Sequence, residues 1–237
     1  MTATVDEAAD VVAVVPIRSD STATSLTISG RSVLGVTIQA LQAVPRIRAI
    51  AVALDGPPPE GLVAAIDMRG GRPVLTTLPV TGRWAAILAA LEVAGESETV
   101  LVHDPDRPLV SPADISQLLD RSRDAGAVVV AVPVVSSMKR VVDGSVTATV
   151  PRDSLYVQQG LWVFGRRLLA RALRSAVIED WDAANELALA HQAGISIQIA
   201  DGRPLNVPIV SPADARFAEM AIERGLASPS GPPAWSA

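Results

Sequence analysis

Short β-branched and aliphatic runs alternate along this chain with stretches whose apolar positions recur at helical spacing. Val11 to Val15 reads as a buried strand stopped by Pro16, and Ser32 to Ala43 as a helix that ends before Pro45. Arg48 to Leu54 is the next strand, closed by Asp55, Gly56 and a run of prolines. A short helix near Pro59 to Met68 and a strand at Pro73 to Thr77 follow. Trp84 to Ala94 predicts a helix and Thr99 to Val102 a buried strand. Ser111-Pro112-Ala113-Asp114 then supplies an N-cap and a first-turn proline to a helix that Gly126 ends. Ala127 to Val132 reads as a central strand. Strands and helices alternating at this spacing predict an α/β, doubly wound, mostly parallel sheet with right-handed crossovers, whose ligands bind at the strands' carboxyl ends.

One segment departs from the alternation. Lys139 to Val142 and Ser145 to Val150 are β-rich runs joined by Asp143-Gly144, a dipeptide suited to the positive φ angles of a two-residue hairpin turn. An isolated hairpin is only marginally stable, so an arm over residues 136–152 is expected to pack on another surface, such as a second subunit. The chain then returns through Leu155 to Phe164, two helices, a strand at Ile195 to Ala200 and a last helix opened by Ser211-Pro212. A single domain is expected over residues 11–225. Residues 1–10, polar and acidic, and 226–237, rich in Ser, Pro and Gly, read as flexible tails.

Composition narrows the partners. With 237 residues, 49% hydrophobic and only 3% aromatic, the chain suits aliphatic strands covered on both faces by helices. A net charge of -5 provides no broad cationic surface for a nucleic-acid backbone, so small ligands are the expected partners. The chain has no cysteine and two histidines, too few for an ordinary zinc site, which leaves Mg2+ as the expected metal. No apolar run reaches the roughly 20 residues that span a bilayer, and no basic-apolar leader opens the chain, so no membrane association and a cytoplasmic location are expected.

Two clusters carry candidate chemistry. In Val100-Leu101-Val102-His103-Asp104-Pro105-Asp106-Arg107-Pro108 a buried strand delivers an acid and then an arginine to its carboxyl end. Asp104 suits Mg2+ or a hydroxyl and Arg107 a phosphate; the alternative is a turn with a surface ion pair, and His103 reads as a hydrogen-bonded supporting residue. Ser136-Ser137-Met138-Lys139-Arg140 sets hydroxyls beside cations, which suits a phosphate, although the residues alone favour an edge strand guarded by charge. Arg152, beyond Val150-Pro151, carries the same two readings.

These pieces in this order, with Val15-Pro16, Thr149-Val150-Pro151-Arg152 and Asp201-Gly202-Arg203, resemble the 2-C-methyl-D-erythritol 4-phosphate cytidylyltransferase family. The resemblance implies a Rossmann-like fold of the nucleotide-diphospho-sugar transferase type. It further implies Mg2+-dependent transfer of CMP from CTP to a sugar-alcohol phosphate, with Asp104 holding metal or acceptor and Arg107 facing the acceptor. Ser137 and Arg152 would reach a neighbouring subunit's site in a homodimer, Lys139 would bind substrate, Arg18 and Arg152 would be catalytic, and Pro16, Ile17, Gly82, Arg83 and His103 would line the nucleotide. The chain also departs from the family's pattern. The loop after the first strand, Ile17-Arg18-Ser19-Asp20-Ser21-Thr22-Ala23-Thr24-Ser25, has no glycine to let amides approach phosphate oxygens, and Pro208 stands where a lysine is expected. Lys139 is the only lysine in the chain, which leaves Arg18 as the loop cation available to a triphosphate. Ala86 falls where a base-contacting serine is expected, and Gln158-Gln159-Gly160 and Ala184-Asn185-Glu186 replace the family's Thr-Pro-Gln and Thr-Asp-Glu runs. Two readings stay open: a divergent nucleotidyltransferase, or a non-catalytic dimeric paralogue that binds a phosphorylated metabolite or a protein partner.

Overall fold

Buried aliphatic strands form the centre of the molecule. The computed structural model describes residues 11–66 and 74–229. The elements are β1 (Val11–Arg18), β2 (Thr27–Ile28), β3 (Arg31–Ser32), α1 (Val33–Gln42), β4 (Ile47–Asp55), α2 (Leu62–Ala65), β5 (Val74–Thr76), α3 (Arg83–Val93) and β6 (Thr99–His103). Then come α4 (Pro112–Arg121), β7 (Ala127–Pro133), β8 (Met138–Val142), β9 (Ser145–Val150), β10 (Tyr156–Gly165), α5 (Arg166–Ile178), α6 (Glu186–Gln192), β11 (Gln198–Asp201) and α7 (Pro212–Glu223). Seven strands make one sheet in the order β11-β7-β10-β6-β1-β4-β5, with β10 antiparallel to both neighbours and the other pairs parallel. Alternate residues of each strand enter two separate cores. Val11, Ala13, Val15, Leu101, Val130 and Leu161 pack under α1, α4 and α7, and Val12, Val14, Val100, Val102 and Trp162 under α3, α5 and α6.

Four sequence expectations shift. The first strand runs through Pro16 instead of stopping there. Pairing with β6 ends at Val14 opposite Val102, while β4 continues alongside to Asp55, so the missing N–H falls where β1 is flanked on one side only. The strand at Ala127 lies second from the sheet edge, with β11 outside it, and is therefore not central. The helix before Gly126 closes through a 3-10 turn at Ser122–Asp124. Ala227, placed by composition in the trailing segment, is buried, and its amide donates to Ala221 O at 3.1 Å. The helix end at Met68, the strand start at Pro73 and the segments 1–10 and 230–237 lie outside the described residues. Among the described residues no helix is long and apolar enough to cross a membrane.

The Asp143-Gly144 hairpin forms as expected, with φ of 48° and 75°, and β8 and β9 pair only with each other. Every residue of β8 is exposed. Because β10 is antiparallel to both β6 and β7, the arm leaves β7 at the same sheet edge where β6 delivers His103.

Candidate functional site

At that edge four strand and helix ends converge. β4 ends in Asp55, whose Oδ1 accepts from Gly82 N at 2.9 Å; Gly82, at φ 101°, opens α3, and Arg83 follows as its first residue. A residue with a Cβ enters that φ region only under strain, so glycine is what lets the turn meet the strand end. Arg83 donates from Nη2 at 2.6 Å and from Nε at 3.1 Å to Glu186 Oε1, and its Nη2 also lies 3.4 Å from Asp104 Oδ1. Arg107 Nε stands 3.9 Å from Asp104 Oδ2, and its Nη1 donates to the Asn206 carbonyl at 2.8 Å. The result is an alternating row of Glu186, Arg83, Asp104 and Arg107.

Burial sets the electrostatics. Glu186 has a side chain only 2% exposed, and burial pushes its carboxyl upward while Arg83 holds it back. Burial works against the charge on Arg83 too, yet Glu186 and Asp104 together raise its pKa above the ordinary arginine value. Burial lowers Arg107, and its Nε–H, buried without a hydrogen-bond partner, is a donor that an anionic ligand oxygen would satisfy. Asp106 is raised first by burial and then by neighbouring Asp104. His103 is fully buried, and burial lowers its pKa. Its Nδ1 lies 3.0 Å from the Gly160 carbonyl, which only accepts, so Nδ1 carries a proton. His103 therefore ties the end of β6 to β10.

Gly160 makes this packing possible. It sits at φ 59°, its carbonyl accepts from Asp104 N at 2.8 Å, and a Cβ there would overlap the Asp104 carboxylate and approach Arg107 Nε to 2.9 Å.

The structure brings Asp104, Arg107, Gly82 and Arg83 together, with Pro16 and Ile17 buried on the neighbouring strand. Arg83 is part of a half-buried ion pair with Glu186. Arg18 is exposed, and its fork is taken by Asp20 through Nε at 3.0 Å and Nη2 at 3.1 Å. These contacts raise the Arg18 pKa, Asp55 adding to the effect, and they lower that of Asp20. A phosphate would have to displace Asp20. Ser137, Lys139 and Arg152 are exposed on the arm and its flanks; Lys139 Nζ donates to Thr149 Oγ1 at 2.8 Å and Arg152 Nη1 to the Val135 carbonyl. Among the described residues no three His, Asp or Glu side chains are grouped to hold a metal ion.

Sequence reading missed Glu186, Asp55 and Gly160 as site residues. Asp55 could have been found from its place at the carboxyl end of a parallel strand. Glu186 could not, because its burial depends on α6 docking beside α3.

The family model for 2-C-methyl-D-erythritol 4-phosphate cytidylyltransferase matches residues 16–224. The chain belongs to this family. The cytidylyltransferase of Acidobacterium capsulatum is 30% identical over 200 residues, covering 81% of this chain and 84% of that protein. That of Desulforamulus reducens is 31% identical over 204 residues, 84% and 87% of the two chains. With the Bacillus licheniformis cytidylyltransferase the chain is 34% identical over 141 residues, spanning 60% of this chain and 61% of that one. Among solved structures, 4-diphosphocytidyl-2C-methyl-D-erythritol synthase of Anaerococcus prevotii superposes with a TM-score of 0.78 at 21% identity, covering 91% of this chain and 99% of its own. The Thermus thermophilus cytidylyltransferase gives 0.72 at 24% identity, with coverage of 90% and 99%. These likenesses show the fold, a mostly parallel α/β sheet of the nucleotidyltransferase type.

Proposed function

We propose that this member of the cytidylyltransferase family transfers CMP from CTP to the phosphate of a sugar alcohol, in the manner its relatives' names describe, as a step toward isoprenoid precursors. The observation that carries the reading is the Glu186, Arg83, Asp104, Arg107 row at the carboxyl edge of the sheet, where α/β folds bind ligands. An acceptor phosphate oxygen attacks the α-phosphorus of CTP, the bond from that phosphorus to the bridging oxygen breaks, and pyrophosphate leaves. Such a reaction asks the protein for positioning and charge neutralisation rather than covalent chemistry. Arg107 faces the acceptor phosphate. Asp104, held between two guanidinium groups, is the carboxylate that would hold a Mg2+, and such an ion would neutralise phosphate charge. Glu186 fixes Arg83, and Gly82 leaves the helix opening free of side-chain bulk beside the nucleotide.

The arm belongs to the same reading. Exposed on both strands, it is fitted to lie on a second copy, and in a homodimer Ser137, Lys139 and Arg152 would complete the partner's acceptor site.

Three observations favour a second reading, a paralogue that binds a phosphorylated metabolite without turnover. Arg18 is engaged by Asp20, the first loop lacks glycine, and the chain's single lysine lies on the arm. Losing one charge-assisted contact to a developing transition-state charge costs about 3 to 4 kcal/mol, so the lysine missing at Pro208 and the engaged Arg18 weigh heavily on rate. Calorimetry with CTP and Mg2+, beside a pyrophosphate-release assay with 2-C-methyl-D-erythritol 4-phosphate, separates the two. Binding with release supports the transferase, phosphate-ester binding without release supports the paralogue, and no binding of either ligand overturns both.

A further inference from the structure

A cavity of about 360 Å3 lies on the α4 side of the sheet, away from the α3 face. It forms where α4 covers β7 and leaves the edge strand β11 open. Leu109, Val110, Leu118, Val130, Leu161 and Ala200 supply its apolar lining. Its charged residues are largely paired with each other: Arg203 Nε donates to Asp114 Oδ1 at 2.6 Å, and Arg121 Nη1 stands 3.6 Å from Asp201 Oδ2. Such a lining has room for a small molecule, little net field to select an ion, and an apolar body of contact. Asn206 stands in the same wall, 4% exposed, and its Oδ1 accepts no hydrogen bond. A buried acceptor left unpaired is costly, so a rotation of the Asn206 side chain that turned Oδ1 toward a hydroxyl or amide N–H in the cavity would relieve that cost.

The wall is shared with the site at the sheet edge. The Asn206 carbonyl accepts from Arg107 Nη1 at 2.8 Å and lies 3.4 Å from Gln159 Nε2, which itself donates to the Arg203 carbonyl at 2.6 Å. Farther along the same loop Ile209 N donates to the Asp106 carbonyl at 2.8 Å. A shift of residues 203–209 therefore moves the carbonyl that orients Arg107.

We propose that this cavity is a second small-molecule site, for a neutral amphipathic compound with a compact apolar body and one hydroxyl or amide head, and that its occupancy is transmitted to Arg107 through Asn206. The site stands apart from the nucleotidyl-transfer reading, because neither its lining nor its test uses CTP.

The test titrates 4-phenylbutan-1-ol into full-length protein that carries labelled methyl groups and labelled arginine side chains, and follows the NMR signals of both. A ligand of this size in a fitting apolar pocket binds with a Kd on the order of 1 mM. The expected result is saturable shifts at Leu109, Val110, Leu118, Val130 and Leu161, together with movement of the Arg107 side-chain signals. Arg121→Trp, at a side chain 60% exposed at the cavity's margin, and Ala200→Phe, from its floor, should each weaken binding at least tenfold. The surface variant keeps the test valid where the buried one fails to fold. Shifts that do not saturate, affinity unchanged in folded Arg121→Trp, or saturation that leaves the Arg107 signals still would overturn the proposal.

Discussion

At the scale of single residues the site rests on two positions that sequence reading passed over. Gly160 occupies left-handed backbone at φ 59° and leaves room for the Asp104 carboxylate. Gly160→Ala should cost roughly 1–3 kcal/mol in urea denaturation and weaken ligand binding at Asp104 and Arg107, because the added Cβ enters a strained φ region and the space of both side chains. Glu186 is the buried end of the ion row. Glu186→Ala should destabilise the protein by about 3 kcal/mol, since it leaves Arg83 partly buried with Asp104 as its remaining partner in the row. In a double-mutant cycle, Arg83→Ala with Glu186→Ala should lose less than the sum of the singles, by roughly 1–3 kcal/mol; additive losses would show that the pair carries no coupling. Asp104 and Arg107 were legible because an acid and an arginine follow a buried parallel strand, and such strand ends face ligands in this architecture. Glu186 was not, because a glutamate in a helix's first turn reads as a solvated cap until α6 is docked beside α3.

Elements were more legible than residues, since each begins and ends on local chemistry. The two Ser-Pro-Ala-Asp sequences both became capping boxes, Ser111 with Asp114 and Ser211 with Asp214. Pro16 misled because a proline's effect depends on how many neighbours its strand has at that point, and this is fixed by β6 ending early. The cap on α7 also yields a pH dependence. Asp214 Oδ2 accepts from Ser211 Oγ at 2.7 Å, Ser211 N at 2.9 Å and Val210 N at 3.2 Å, and these contacts, the Ser211 side chain first, hold its carboxyl below the ordinary aspartate value. A depressed folded pKa contributes stability that is complete above the unfolded value of about 3.9 and is lost as pH falls through the folded value. Wild type should therefore exceed Asp214→Asn in thermal midpoint near neutrality. The two midpoints should converge in acid, and a difference that stays constant from neutrality to well below the unfolded value would rule out the ionised cap as its source.

At the scale of the whole molecule the arm is an element whose form nothing among the described residues explains. The main sheet covers both faces with helices, and its strands are buried where it matters; β8 and β9 meet neither condition. Val141, Val142 and Val146 are 56%, 52% and 65% exposed, on a ribbon that joins no other strand. Two strands alone are marginal in water, and a ribbon with apolar residues along it loses further by exposing them. In the homodimer proposed above a second copy would supply the missing surface, and the arm's departure from the edge that carries Asp104 would put its cations in reach of a partner's acceptor site. Sedimentation should give the mass of two 24.6 kDa chains at micromolar concentration. Val141→Lys with Val146→Lys should bring it to one chain while the far-ultraviolet circular dichroism of the main fold persists. If the double variant stays dimeric, the arm is not the contact. If wild type is already monomeric, each site must work with the cations of its own chain, and the placement of Lys139 and Arg152 beside a partner's phosphate falls with it.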